Sequence, residues 1–350
     1  MKSKKWVRFI VCGCFFLFLS VLVLSDVNAA PEKPKSLRMG SNTVGSIMYA
    51  FAGGLSAVVE KYSDLKIEVL PHGNVITLPM FATKECDMVI AASDEMDAAF
   101  RGIAVYEKIT GGKGVDLRMM MLGTRIAAGL LVARDTGIKT TRELKGKRVC
   151  LDYGTHYALA MGSRAALFGG GLTLEDVIAV KANGVPEAMR KVLEGKADAC
   201  YGAIGVPAFR ELEAARGARH LGIENTPERW QEIHKIFHGY FPMHIEPKKP
   251  GQPVGVMEPI WMVGRNFSLV CRADLPDDIV YATTKALYEH DAELGPFHPG
   301  LKDWAKERFV GTMAPAPYHA GAIRFYKEKG LWTDEMEQHQ EKLFKNRTRR

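Results

Sequence analysis

The chain has 350 residues, 47% of them hydrophobic and 25% charged, with a formal net charge of +7. That length exceeds the usual single domain and allows two cores, and no internal repeat or low-complexity tract interrupts it. The mild basic excess suits acidic small molecules and does not call for a nucleic-acid partner.

The N-terminus reads as a secretory leader. Lys2, Lys4, Lys5 and Arg8 precede an apolar run from Phe9 to Leu24, and Val27-Asn28-Ala29 supplies a small-residue cleavage site over residues 1–29. The run falls short of the about 20 apolar residues a spanning helix needs. Cys12 and Cys14 lie inside it rather than after it, so a soluble exported protein is expected in place of a lipoprotein. Removing the leader takes away four positive charges and Asp26, which lowers the net charge from +7 to +4.

The body alternates strand, polar loop and helix. Leu37–Gly40 predicts a strand, Ser41–Ser46 a loop, and the three- and four-residue spacing of Ile47, Met48, Phe51, Leu55, Val58 and Tyr62 a helix. Ile67–Leu70 predicts a strand that meets Pro71-His72-Gly73-Asn74 before a second helix from Val75, and Asp87–Ala91 a buried strand ending in a polar loop at Ser93 and Asp94. Leu117–Leu122 and Gly129–Ala133 read as two strands separated by Gly123-Thr124-Arg125, a first crossing between lobes. A second unit follows: strand Arg148–Leu151, loop Asp152–Tyr157, helix Ala158–Phe168, strand Asp176–Val180, helix Val185–Glu194 and strand Ala197–Tyr201. Tyr240–Pro259 is Pro-rich and reads as irregular, Ile260–Arg272 returns as strands, and Pro276–Asp291 is a helix.

Repeated strand, loop and helix is the mark of a parallel α/β sheet. A chain that builds one α/β unit, crosses to a second and crosses back makes two hinged α/β domains with a central cleft as the default site. The expected division is lobe 1 over 36–125 and 265–350, and lobe 2 over 126–264.

Loops at the carboxyl ends of strands line the crevice in such sheets, and the helix after each presents unpaired N–H groups there. Three loops qualify, and they supply the candidate ligand-binding residues: Ser41, Asn42, Thr43 and Ser46 with Tyr49 beyond; Gly73, Asn74 and Thr77; and Gly154, Thr155, His156 and Tyr157. A helix terminus contributes about 0.3–2 kcal/mol toward an anion, whereas micromolar affinity needs about 8 kcal/mol. A cation must supply part of the rest. Arg125, beside the presumed crossing, is the first candidate, with Arg101 and Arg265 behind it; Tyr49, Tyr153, His156 and Trp261 are candidate walls.

No motif points to catalysis, a metal or a cofactor. The Gly-Lys pairs at 112–113, 146–147 and 195–196 are never followed by Ser or Thr, so no P-loop is present. His156 as a general base lacks a nucleophile motif, and His234 and His238 with Glu232 lack a third ligand, so a solvated helix face is the preferred reading. Cys86, Cys150, Cys200 and Cys271 form no Cys-x-x-Cys; buried thiols are expected.

The run Ala314-Pro315-Ala316-Pro317-Tyr318-His319-Ala320-Gly321-Ala322-Ile323-Arg324-Phe325-Tyr326 resembles the closing signature of the TAXI family, solute receptors of tripartite ATP-independent periplasmic (TRAP) transporters. Leu144–Val149, Gly171–Asp176, Gly195–Ala199 and Asp274–Tyr281 are similar to further strings of that family in its order. Ala320 stands where the family has proline, and the loops Gly73-Asn74 and Asp152–Tyr157 depart from the family's patterns, so the departures fall where a ligand would sit. The resemblance implies a two-lobed periplasmic-binding-protein architecture of type II kind. It implies a receptor, not an enzyme, that captures a small organic acid such as glutamate or 2-oxoglutarate for the membrane permease subunits of a TRAP transporter. A periplasmic sensor subunit signalling to a membrane kinase is the alternative; an exported enzyme on the same scaffold stands further off.

Overall fold

The computed structural model describes residues 36–237, 239–249 and 252–347, with side chains through 345. The leader expected over residues 1–29, with Cys12 and Cys14, lies outside the described residues, as does His238.

The strands are β1 (Ser36–Gly40), β2 (Lys66–Leu70), β3 (Met88–Ala92), β4 (Leu117–Ala133), β5 (Arg148–Asp152), β6 (Ile178–Lys181), β7 (Ala199–Ala203), β8 (Ala218–His220), β9 (Phe241–Ile245) and β10 (Ile260–Arg272). The helices are α1 (Ile47–Tyr62), α2 (Asn74–Thr77), α3 (Ser93–Arg101), α4 (Val105–Thr110), α5 (Tyr157–Gly169), α6 (Val185–Leu193), α7 (Phe209–Arg216), α8 (Pro227–Ile236), α9 (Asp277–Glu289), α10 (Ala320–Glu328) and α11 (Asp334–Arg347). Among the described residues, no helix is long and apolar enough to cross a membrane.

One mixed sheet runs in the order β2-β1-β3-β10-β4-β7-β5-β6, with β8 added to β4 and β9 to β10. On one side β1 lies parallel to β2 and β3; on the other, β5 lies parallel to β6 and β7. Between them the long strands β4 and β10 form an antiparallel seam. β3 is buried at every position, as its unbroken apolar run requires of a strand covered on both faces. α1 turns Phe51, Leu55, Val58 and Val59 into the core beneath β1 and β3. The α/β architecture expected from the sequence is therefore present.

Local departures have identifiable causes. Leu117–Ala133 is one strand, not two, because Gly123–Arg125 sits inside the seam: Arg125 faces Asn266 and Ile126 faces Arg265, and a register shift between Asn266 and Ser268 absorbs the irregularity. The expected lobe boundaries at 125/126 and 264/265 thus fall inside these two continuous strands. The stretch expected to be irregular contains β9, where Pro242 is accommodated by pairing to β10 as an added outer strand. Ser93 and Asp94 open α3 rather than a loop. Acidic residues favour a helix N-terminus, and here Asp94 and Glu95 are buried, so their polarity does not mark exposure. Cys86, Cys150, Cys200 and Cys271 are free buried thiols.

Candidate ligand site at the strand-end loops

β1 runs into α1 through residues 41–46, β2 into α2, β5 into α5 through residues 153–156, and β6 into α6 through residues 182–184. These turns meet. His156 donates from Nδ1 to Oδ1 of Asn42 at 2.8 Å, a direction fixed because a carbonyl oxygen only accepts. The Val75 N–H reaches the Thr155 carbonyl at 3.4 Å. Gly184 has φ +115, and a Cβ there would stand 3.0 Å from Thr43 Oγ1 and 3.3 Å from His156 Nε2, so glycine is what lets the β6 turn approach. Farther along, His298 donates from Nε2 to the Gly205 carbonyl after β7 at 3.0 Å.

The contact encloses a space of about 30 Å³. Its polar lining comes from Asn42, Thr43, Ser46, His156 and Arg265, and the remainder is apolar. Ser46 caps α1 by accepting from the Tyr49 N–H at 3.2 Å. Burial pushes the His156 imidazole down to about 4, so it is neutral where it bridges to Asn42.

Arg265 is the charge at the centre. Its Nη1 donates to Asp94 Oδ2 at 3.0 Å and to the Ala158 carbonyl at 2.8 Å, and its Nη2 to the Tyr201 hydroxyl at 2.6 Å. Tyr240 also donates to Asp94 Oδ2. Burial opposes charge on the guanidinium, but the facing Tyr201, Asp94 and Tyr240 hold its pKa above the ordinary arginine value. Next to it, burial first and then the Asp94 charge push the Glu95 carboxyl up to about 8. Glu95 accepts from Asn74 Nδ2 at 3.0 Å and Tyr106 Oη at 3.3 Å. At neutral pH the guanidinium is therefore charged while the Glu95 carboxyl favours its protonated form.

The predicted residues divide accordingly. Asn42, Thr43, Ser46 and His156 line the space. Ser41 ties β1 to β2 through the Leu70 carbonyl at 3.1 Å, while Asn74 and Thr77 are buried around Glu95 and bond each other at 3.2 Å, supporting the Gly73 turn. Gly154 and Thr155 are exposed, and Tyr49 is half-buried outside the lining. Tyr157 turns the other way, edge-on to Tyr106 at 6.1 Å. Arg125, the expected cation, does not line the space; it is exposed and reaches Asp303 at 3.4 Å, because its side chain leaves the seam on the opposite side from its neighbour's partner Arg265. Arg101 pairs with Asp97. Tyr153 is core, its hydroxyl accepting from the Tyr201 N–H at 2.8 Å, and Trp261 packs on His244 at 4.7 Å. His234 faces the Tyr240 carbonyl at 3.0 Å.

Asp94, Glu95, Tyr201 and Tyr240 were not anticipated. One signal for the cluster was available: Arg265 interrupts the apolar run from Ile260 to Val270, and a charge on a buried strand needs a buried partner. A larger groove of about 560 Å³ lies on one flank, beside Phe81, Lys84, Ile109 and Arg272. Two of its three cations, Lys84 and Arg272, already face Asp274 and Asp87 at 2.6–3.0 Å, and no turn from the β5–β7 side reaches it.

A family model described as the NMT1-like family matches residues 39–330. The chain belongs to the NMT1-like family. Among solved structures, this NMT1-like chain is similar to a protein described as a periplasmic transporter, with 17% identity, TM-score 0.52 and coverage of 91% of this chain and 98% of the other. It is similar to a structure from Bordetella bronchiseptica RB50, with 15% identity, TM-score 0.52 and coverage of 85% and 98%. It is also similar to PhnD1 from Prochlorococcus marinus (MIT 9301) in complex with methylphosphonate, with 12% identity, TM-score 0.50 and coverage of 86% and 100%. At these identities the likeness is one of fold: the NMT1-like chain has the periplasmic-binding-protein-like α/β architecture.

Proposed function

We propose that this NMT1-like protein is a periplasmic solute receptor that captures a small organic acid and hands it to a membrane transporter, without catalysing a reaction. The observation that carries the reading is the meeting of strand-end turns from both sides of the seam around one space that also holds the Arg265 guanidinium. Residues 36–125 with 265–350 act as one lobe and 126–264 as the other, parting and closing about β4 and β10. The strings similar to TAXI receptors favour a TRAP permease as the recipient, and the leader pattern favours export by a cleaved signal.

The test is thermal unfolding of the purified protein against a panel of carboxylates. A ligand at one hundred times its dissociation constant adds about 2.7 kcal/mol of stability. A raised Tm with at least one acid supports the reading; a folded protein that responds to none removes it.

A further inference from the structure

We propose that the solute is a monocarboxylate with an apolar body, its carboxylate anchored by the Arg265 Nε–H and the Thr43 hydroxyl. The inference rests on the receptor reading and narrows its ligand class. Among the described residues, Arg265 Nε and Thr43 Oγ1 are buried polar atoms with no hydrogen-bond partner, and both residues line the enclosed space. Arg265 is 2% exposed, so no solvent compensates its free donor. Leaving such groups unmet is costly. A carboxylate oxygen accepting from both satisfies them together, with the charge-assisted bond to arginine the stronger of the two.

The rest of the lining decides what the carboxylate is attached to. Ile47, Met48, Leu159, Val185, Val206 and Phe267 enclose the remainder of the space. Asn42 and His156 are already bonded to each other, and Ser46, whose oxygen accepts in its helix cap, keeps only a neutral hydroxyl donor. A second carboxylate on the solute would meet hydrocarbon and one neutral hydroxyl, with no cation. Charge leads to the same conclusion: among the described residues Arg265 is the one cation in the lining and already faces Asp94, so a single solute carboxylate must share it and a second has no cation to face. The enclosed 30 Å³ accommodates about one methyl group or water, so an acid with a longer chain enters only as the turns part.

Titration calorimetry with pentanoate and glutarate makes a matched test, because the two acids share a five-carbon chain and differ in one end. Pentanoate is expected to bind at least about tenfold more tightly than glutarate or glutamate, and Thr43→Val to weaken pentanoate by about tenfold while leaving the Tm of the ligand-free protein in place. Tighter binding of glutarate or glutamate overturns the monocarboxylate proposal while the receptor reading stands. Undiminished pentanoate affinity in Thr43→Val overturns the anchor. Binding of no carboxylate of either kind overturns both readings.

Discussion

Arg265 Nη1 stands 3.0 Å from Asp94 Oδ2, and the two side chains are exposed by only 3% and 2%. The pair joins the central seam to the first turn of α3, and through Tyr201, Tyr240 and Ala158 it binds the β5–β7 side as well. A buried pair of this kind is weak evidence for stability, since desolvation offsets much of its attraction, but removing one partner strands the other. Arg265→Met is therefore expected to lower stability in urea unfolding by about 3–5 kcal/mol, and adding Asp94→Leu to recover much of that loss. A double variant as unstable as the sum of its singles would show that the two residues are not coupled.

Glu95 gives the protein a pH dependence whose sign is fixed. Its folded pKa is raised from 4.5 to about 8, so its contribution is fully present below about pH 4.5 and is lost as the pH rises to about 8. His156 acts in the opposite sense, with a pKa lowered from 6.5 to about 4, so its contribution is lost as the pH falls through that range. Between pH 6.5 and 8 the Glu95 effect stands clear of His156, with a slope of at most about 1.4 kcal/mol per pH unit. The Tm of the wild-type protein should fall across that window and that of Glu95→Gln should fall less. Equal slopes would place the proton elsewhere.

Gly162 on α5 lies against the same cluster. A Cβ there would press on the Tyr201 hydroxyl and come 2.7 Å from Arg265 Nη2. Although alanine favours helix by itself, Gly162→Ala is expected to destabilise by about 1–3 kcal/mol through overpacking. Tyr201→Phe in the same chain removes the pressing hydroxyl and should restore part of the loss, as read by Tm. A stabilised single variant would mean that α5 shifts freely over Arg265.

Arg125→Ala is the contrasting case. Its guanidinium is 54% exposed and its partner Asp303 37% exposed, a setting in which ion pairs contribute little. Solute affinity by calorimetry should stay within about twofold of wild type. A tenfold loss would return Arg125 to the site.

The sequence made the α/β alternation legible because continuous apolar runs such as Met88–Ala92 and the spaced apolar face of Ile47–Tyr62 state their period directly. The loops were legible for the same reason: each follows a strand and precedes a helix. The central cation was harder to place. Arg125 and Arg265 sit one register step apart across the seam, and which arginine is buried depends on which face of β4 and β10 each side chain takes, a matter of pairing and bulges that no local pattern records. Asp94 reads with Ser93 as a polar loop, and Glu95 draws no reading of its own, because acidic residues usually mark solvent. Their burial follows from partners distant in the chain, Tyr240 and Arg265 for one and Asn74 and Tyr106 for the other.

The central claim is that the solute sits among the strand-end turns rather than in the larger flanking groove. Crystal structure determination of the protein with its best-binding acid tests this directly. The account predicts the acid between Thr43 and His156, with its carboxylate on Arg265; an acid lodged instead beside Lys84 and Arg272 in the 560 Å³ groove would contradict it.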